Sequence, residues 1–224
     1  MDTKVLEHLD TLIQRYPQLS VCREEIWNAY LVLKETYERD GKLLVAGNGG
    51  SAADSEHIVG ELMKRFKIPR KVDSEFEEKL ISVDPEIGKE LSNNLEKSLM
   101  AIALTTHEAL TTAYINDVDG YGTFAQQLYG YGRKGDAFLG ISTSGNSKNV
   151  ISAAVVAKAL GMKVIGLTGA KGGKIKEYAD VMIQVPETET YMVQELHLPV
   201  YHALCMMLEE WRFGDKSKFW DDYS

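Results

Sequence analysis

With 224 residues, the chain has enough material for one domain with its own core, or one domain carrying a helical extension. Hydrophobic residues at 44% and charged residues at 26% are those of an ordinary globular protein, and no stretch approaches the roughly 20 apolar residues of a membrane span. The formal net charge of −8 argues against a nucleic-acid partner, which is bound through net positive surface, but it leaves room for a small anion held by a few backbone N–H groups.

In chain order, residues 4–39 carry apolar side chains at three- and four-residue steps (Leu6, Leu9, Leu12, Ile13, Tyr16, then Ile26, Tyr30, Leu33, Tyr37), interrupted near Pro17. This predicts two amphipathic helices. So little chain precedes the first strand that part of their apolar face is expected to lie against another subunit. Residues 43–46 predict a buried parallel strand and 52–65 a helix. Residues 67–98 are charge-rich, contain Pro69 and Pro85, and resemble an insertion with one amphipathic stretch over 87–99. Further strands are predicted at 101–105, 136–142, 163–168 and 181–185. Helices are predicted at 107–116, 123–131, 148–160, 173–178 and 190–211. Strands alternating with helices imply an α/β fold, doubly wound around a mainly parallel five-stranded sheet, with ligands at the carboxyl ends of the strands. Cys22 and Cys205 match no metal or redox spacing, which suggests reduced thiols. With no basic start and apolar run at the N-terminus, the expected location is the cytoplasm.

Two loops are candidates for anion binding. Gly47-Asn48-Gly49-Gly50-Ser51 follows a strand and opens a helix. Glycine permits positive φ and close approach there, and the helix start offers free N–H groups. The segment also fits a loose Gly-x-Gly-x-x-Ala pattern, but the acidic strand end that a dinucleotide site requires is missing. Ser142-Thr143-Ser144-Gly145-Asn146-Ser147 repeats the arrangement with four hydroxyls in six residues. A helix cap needs only one of them, so the surplus predicts a phosphate cradle that uses no lysine.

His57 and Glu61 are spaced to share a helix face, and the last helix adds Gln194, Glu195, His197 and His202. Imidazole, carboxylate and amide oxygen suit zinc or a similar divalent ion. Eight residues separate Gln194 from His202, about 12 Å of straight helix. A shared ion therefore needs Gln194 to reach down, a bend at Pro199, or ligands from two subunits.

Taken together, both loops with His57, Glu61, Gln194 and His202 resemble the phosphoheptose (sedoheptulose 7-phosphate) isomerase family, of the sugar-isomerase (SIS) fold, over nearly all of residues 42–210 outside the insertion. The resemblance implies that Asn48, Gly49, Gly50 and Ser51 contact the sugar phosphate, and that Asn116 and Asp117 contact substrate. Ser142, Thr143, Ser144 and Ser147 match the family's phosphate and hydroxyl contacts. His57, Glu61, Gln194 and His202 match its zinc ligands, with Glu61 and His202 as the acid–base pair and Gln194 also at the substrate. It further implies a homotetramer with active sites at subunit junctions. The corresponding division is residues 1–40 as an oligomerisation segment, 41–214 as the SIS domain with the insertion at 67–98, and 215–224 as a tail. Two features depart from the family: Tyr191 stands where an aspartate is usual, and the insertion is longer than the usual connection. A non-catalytic phosphosugar-binding or initiator-associated regulator of the same fold is the alternative. It leaves the set of Glu61, His57, Gln194 and His202 without a use.

Overall fold

A computed structural model describes residues 2–214; the tail 215–224 lies outside the described residues. Two helices, α1 (Asp2–Arg15) and α2 (Arg23–Glu38), flank a 3-10 turn at Pro17–Cys22, where proline's missing N–H suits a first helical position. The order then runs β1 (Leu43–Ala46), α3 (Gly50–Met63), α4 (Ser74–Val83), α5 (Pro85–Asn94), β2 (Ala101–Ala103), α6 (Glu108–Asp117), α7 (Thr123–Tyr131), β3 (Ala137–Ile141), α8 (Lys148–Ala159), β4 (Lys163–Gly169), a 3-10 turn at Lys174–Glu177, β5 (Val181–Val185) and α9 (Thr190–Phe213).

The five strands form one sheet in the order β2-β1-β3-β4-β5, with every neighbouring pair parallel. Side chains alternate between its two faces. Leu43, Val45, Leu139, Ile141, Ile165 and Leu167 pack into one core with α1, α2 and α9, whereas Leu44, Ala46, Phe138 and Val164 join a second with α7 and α8. Burial on both faces explains why the strands are continuous apolar runs. The chain leaves β1 toward β2 on one side and later places β3 on the other. The carboxyl ends of β1 and β3 therefore border the crevice where such sheets bind ligands.

The inner faces of the N-terminal helices are covered by the chain itself. Leu9, Leu12, Ile26, Ala29 and Leu33 are all buried within this one chain, against Leu204, Met207 and Leu208 of α9 and the sheet face. Burial of this kind contributes roughly 2 kcal/mol per large aliphatic side chain, while Val21 and Leu31 stay exposed on the outer side. The insertion is richer than one amphipathic stretch over 87–99. It is a helical hairpin, α4 then α5, and its second helix stops at Asn94. Asp73 caps α4 by accepting from the Phe76 N–H, and Asp84 caps α5 by accepting from the Glu86 and Ile87 N–H groups. Pro199 stays inside α9, which runs as one helix from end to end. Among the described residues no helix is long and apolar enough to cross a membrane.

Candidate active site

Both candidate loops leave adjacent parallel strands and open helices. Asn48 follows β1, and Gly49 adopts φ +58° as the residue before α3, a conformation glycine takes without strain. From the first turn of α8, Asn149 reaches across. The two side-chain amides exchange hydrogen bonds, Asn48 Nδ2 to Asn149 Oδ1 and Asn149 Nδ2 to Asn48 Oδ1, both at 2.9 Å. The helix starts of α3 and α8 are thereby held side by side, with their unpaired N–H groups and positive dipole ends.

The hydroxyls of the second loop are not spent on capping. Ser147 occupies the cap position of α8 without a side-chain cap bond, and its Oγ lies 2.9 Å from Ser142 Oγ. Asn146 acts as an internal strut. Its N–H donates to Ser144 Oγ, its amide nitrogen to the Ser144 carbonyl, and its Oδ1 accepts from the Lys174 N–H. Gly145 has φ +68°, and a Cβ there would run into the Gly172 carbonyl. The segment after β4 therefore backs the cradle at backbone distance.

On α3, Gly50, Asp54, His57 and Glu61 are spaced i, i+4, i+7 and i+11, one stripe along the helix. Ser51, Ser55, Ile58 and Leu62 form the adjacent, buried stripe. The first stripe faces α9. Gln194 rests on Gly50, where a Cβ would come 2.7 Å from its Nε2. Tyr201 Oη donates to Asp54 Oδ1 at 3.2 Å and lies 3.0 Å from His57 Nδ1. His202 meets the His57 ring edge to face, centroids 4.9 Å apart. Glu61 Oε1 is 3.1 Å from His57 Nε2, and Lys64 Nζ donates to Glu61 Oε2 at 3.3 Å. A seam between two helices would ordinarily be apolar; this one is lined with acids, imidazoles, a phenol and an amide.

The electrostatics follow from burial. Desolvation raises the Asp54 carboxyl above its ordinary value, against the Tyr201 hydrogen bond and His57. Desolvation and then the neighbouring His57 lower the His202 imidazole, with Glu61 opposing. His202 is therefore a neutral imidazole near neutral pH, able both to give and to accept a proton. Burial likewise raises the Tyr201 phenol, which keeps it a hydroxyl donor.

The donor set fits a divalent cation in its chemistry. With the Tyr201 proton directed at Asp54, its oxygen accepts from His57 Nδ1–H. The Nε2 lone pair then faces the Glu61 carboxylate, and two acceptors at that distance need a proton or a cation between them. His202 Nε2 is also buried without a hydrogen-bond partner. Even so, among the described residues no three His, Cys, Asp or Glu side chains are drawn into a cage for an ion. Gln194 lies at the head of α3, two helical turns from His57, about 10 Å along the axis.

His57, Glu61 and His202 are thus brought together, and Gln194 joins Asn48, Gly49, Gly50 and Ser51 instead. Asn116 and Asp117 end α6, exposed, with Asn116 Nδ2 donating to Asp117 Oδ1. In the turn that follows, Lys148 Nζ of α8 stands 4.9 Å from the centroid of the Tyr121 ring. Tyr191 is 61% exposed near the start of α9. Asp54, Asn149 and Tyr201 were not foreseen. The spacing of Asp54 to His57 on one helix face was the available signal, and Asn149 gave none.

A SIS domain model matches residues 92–169. The chain is 37% identical to a phosphoheptose isomerase of Nitratiruptor sp. over 94% of its length and 97% of that protein's. It is 40% identical to a phosphoheptose isomerase of Aneurinibacillus thermoaerophilus over 81% of its length and 79% of that protein's. The solved phosphoheptose isomerase of Neisseria gonorrhoeae superposes with a TM-score of 0.70 at 32% identity, covering 93% of this chain and 98% of that one.

Proposed function

This chain belongs to the phosphoheptose isomerase family, and from that premise we propose that it interconverts sedoheptulose 7-phosphate and D-glycero-D-manno-heptose 7-phosphate by proton transfer through an enediol. It is an aldose–ketose isomerase acting on a phosphorylated sugar. The observation that carries the reading is the pairing of an anion cradle at the head of α3 with an acid–base cluster two turns further along the same helix face. An extended sugar phosphate spans that separation with its phosphate at one end and C1 and C2 at the other.

Asn48, Gly49, Gly50 and Ser51 hold the phosphate end together with Ser142, Thr143, Ser144 and Ser147. Asn116, Asp117 and Gln194 contact the sugar hydroxyls. Glu61 takes the proton from C1 of the ketose and returns it to C2. His202, neutral through burial, gives a proton to O2 and takes one from O1. Tyr201 and Asp54 orient His57 from behind. Zinc, held by His57, Glu61 and His202, would polarise the carbonyl when bound, while Gln194, two turns away on Gly50, stays with the sugar. The donor chemistry and the orphaned His202 Nε2 support that assignment.

A homotetramer with sites at subunit junctions belongs to the same reading. α6, which ends in Asn116 and Asp117, buries none of its residues within the chain and exposes Leu110 and Ile115. Residues 1–40 would serve the assembly through their outer face, and the 67–98 hairpin is an insertion in the SIS domain. A cytoplasmic location is supported by Cys22 and Cys205, both unpaired and buried.

Incubation with sedoheptulose 7-phosphate and zinc tests the proposal. The aldose phosphate forms, and Glu61→Gln lowers kcat by roughly 100- to 10,000-fold, the usual worth of a general base. Undiminished turnover in that variant removes Glu61 from the mechanism.

A further inference from the structure

Arg70 and Glu209 form an ion pair whose side chains are 0% and 1% exposed, with Arg70 Nη2 2.8 Å from Glu209 Oε1. Taking two such charges out of water is costly, and apolar residues of similar volume often hold a fold as well or better. Here every polar atom is engaged in a way that reaches the acid–base residues from two sides.

The first arm ends at Glu61. Arg70 donates from Nη1 to the Leu62 carbonyl at 2.7 Å and from Nη2 to the Glu61 carbonyl at 3.3 Å. These are carbonyls of the last turn of α3, which lack partners within the helix and face its negative dipole end. The guanidinium thus caps the helix at the residue that bears the base. The second arm ends at His202. Glu209 Oε1 accepts from the Phe66 N–H and Oε2 from the Lys67 N–H, both at 2.8 Å. The Phe66 ring so placed packs on the His202 ring, centroids 5.4 Å apart. Glu209 also lies on α9, two turns beyond His202. One pair therefore pins α3 to α9 at the end where base and acid face each other, and fixes the aromatic wall behind the acid.

We propose that Arg70 and Glu209 are a positioning pair for the isomerase reaction, setting the reach between the Glu61 carboxylate and the His202 imidazole while touching no substrate. This rests on the isomerase reading above. Neither residue belongs to the two loops or to the set of His57, Glu61, Gln194 and His202, and Arg70 lies in the segment that first resembled a mere insertion.

The test is steady-state kinetics on sedoheptulose 7-phosphate with thermal melts, comparing wild type, Arg70→Lys, and the double variant Arg70→Met with Glu209→Leu. The double variant removes both charges and leaves neither orphaned. It is expected to fold, melting near or above wild type, with kcat at least tenfold lower and KM within twofold. Arg70→Lys keeps the charge but not the two-armed fork, and is expected to lose about fivefold in kcat with KM again unchanged. A pair that only supports the fold would leave the kcat of a folded double variant at the wild-type value, and that result overturns the proposal. If the double variant does not fold, wild-type kcat in Arg70→Lys overturns it instead. Absence of wild-type turnover overturns the isomerase reading and this proposal with it; normal wild-type turnover beside unimpaired variants overturns the pair's role alone.

Discussion

The side-chain amides of Asn48 and Asn149, 101 residues apart in sequence, hydrogen-bond each other in both directions at 2.9 Å. Each stands beside a helix start, so this closed amide pair sets the spacing between the two surfaces that face a phosphate. Asn149 also accepts from the Val150 N–H, which keeps its own orientation fixed.

Asn149→Ala opens the clamp without removing any residue assigned to the anion. The bonds are exposed, so their loss is worth about 1 kcal/mol, or roughly fivefold in affinity. KM for the sugar phosphate is expected to rise about fivefold with kcat within twofold, measured by initial rates. An unchanged KM would mean that the adjacent strands β1 and β3 alone keep the loops in register.

Gly50→Ala separates stability from function. Its backbone is ordinary helix, and alanine is favoured over glycine in a helix by up to about 1 kcal/mol. Its Cβ would meet the Gln194 amide at 2.7 Å and displace it. The expected enzyme melts no lower than wild type while kcat/KM falls at least tenfold, about 1.4 kcal/mol. Adding Gln194→Ala should then cost little more, because both changes remove the same group. Additive losses would show that Gly50 serves the site by another route.

Much of this architecture was legible in the residues. β5 and α7 fall at the predicted bounds, because Val181–Val185 is closed by Asp180 and Pro186, and Thr123–Tyr131 by Gly122 and Gly132. The hydroxyl-rich loop was conspicuous because a cap needs one hydroxyl and four are present. The helical hairpin was missed although Asp73 and Asp84-Pro85 are start signals; the apolar spacing runs on past Pro85 and obscures the break. The covering of α1 and α2 was also out of reach, since Leu204, Met207 and Leu208 come from a helix that folds back only after the whole sheet. Pairings across such separations, including Asn48 with Asn149 and Asp54 with Tyr201, depend on strand order, which local patterns do not contain.

Gly145→Ala tests the buttress behind the cradle. At φ +68° a non-glycine residue costs about 1–2 kcal/mol, and the new Cβ would also press on the Gly172 carbonyl, a backbone atom with little freedom to yield. A loss of about 2 kcal/mol corresponds to a Tm roughly 4–8 °C lower in a chain of this size. A melt at the wild-type temperature would contradict the tight packing of this loop on Gly172 and Gly173.

His197, on the buried side of α9, ties stability to pH. The residue is 0% exposed, and burial lowers its imidazole from 6.5 to about 4, with the Thr168 carbonyl drawing it slightly upward. Neither ring nitrogen meets a full hydrogen-bonding partner among the described residues. The folded pKa lies below the unfolded one, so between about pH 6.5 and pH 4 the unfolded chain binds the additional proton. Stability from this group is complete above that window and is lost as the pH falls through it, by about 3 kcal/mol in all. His197→Gln removes the titration and leaves every other group in place, Asp54 and His202 included. Urea denaturation of both proteins at pH 7, 6, 5 and 4.5 should show the wild type more stable at pH 7 and the gap narrowing steadily toward acid. Curves that stay parallel over that range would place the acid sensitivity of the fold at other groups, because no other difference between the two proteins titrates there.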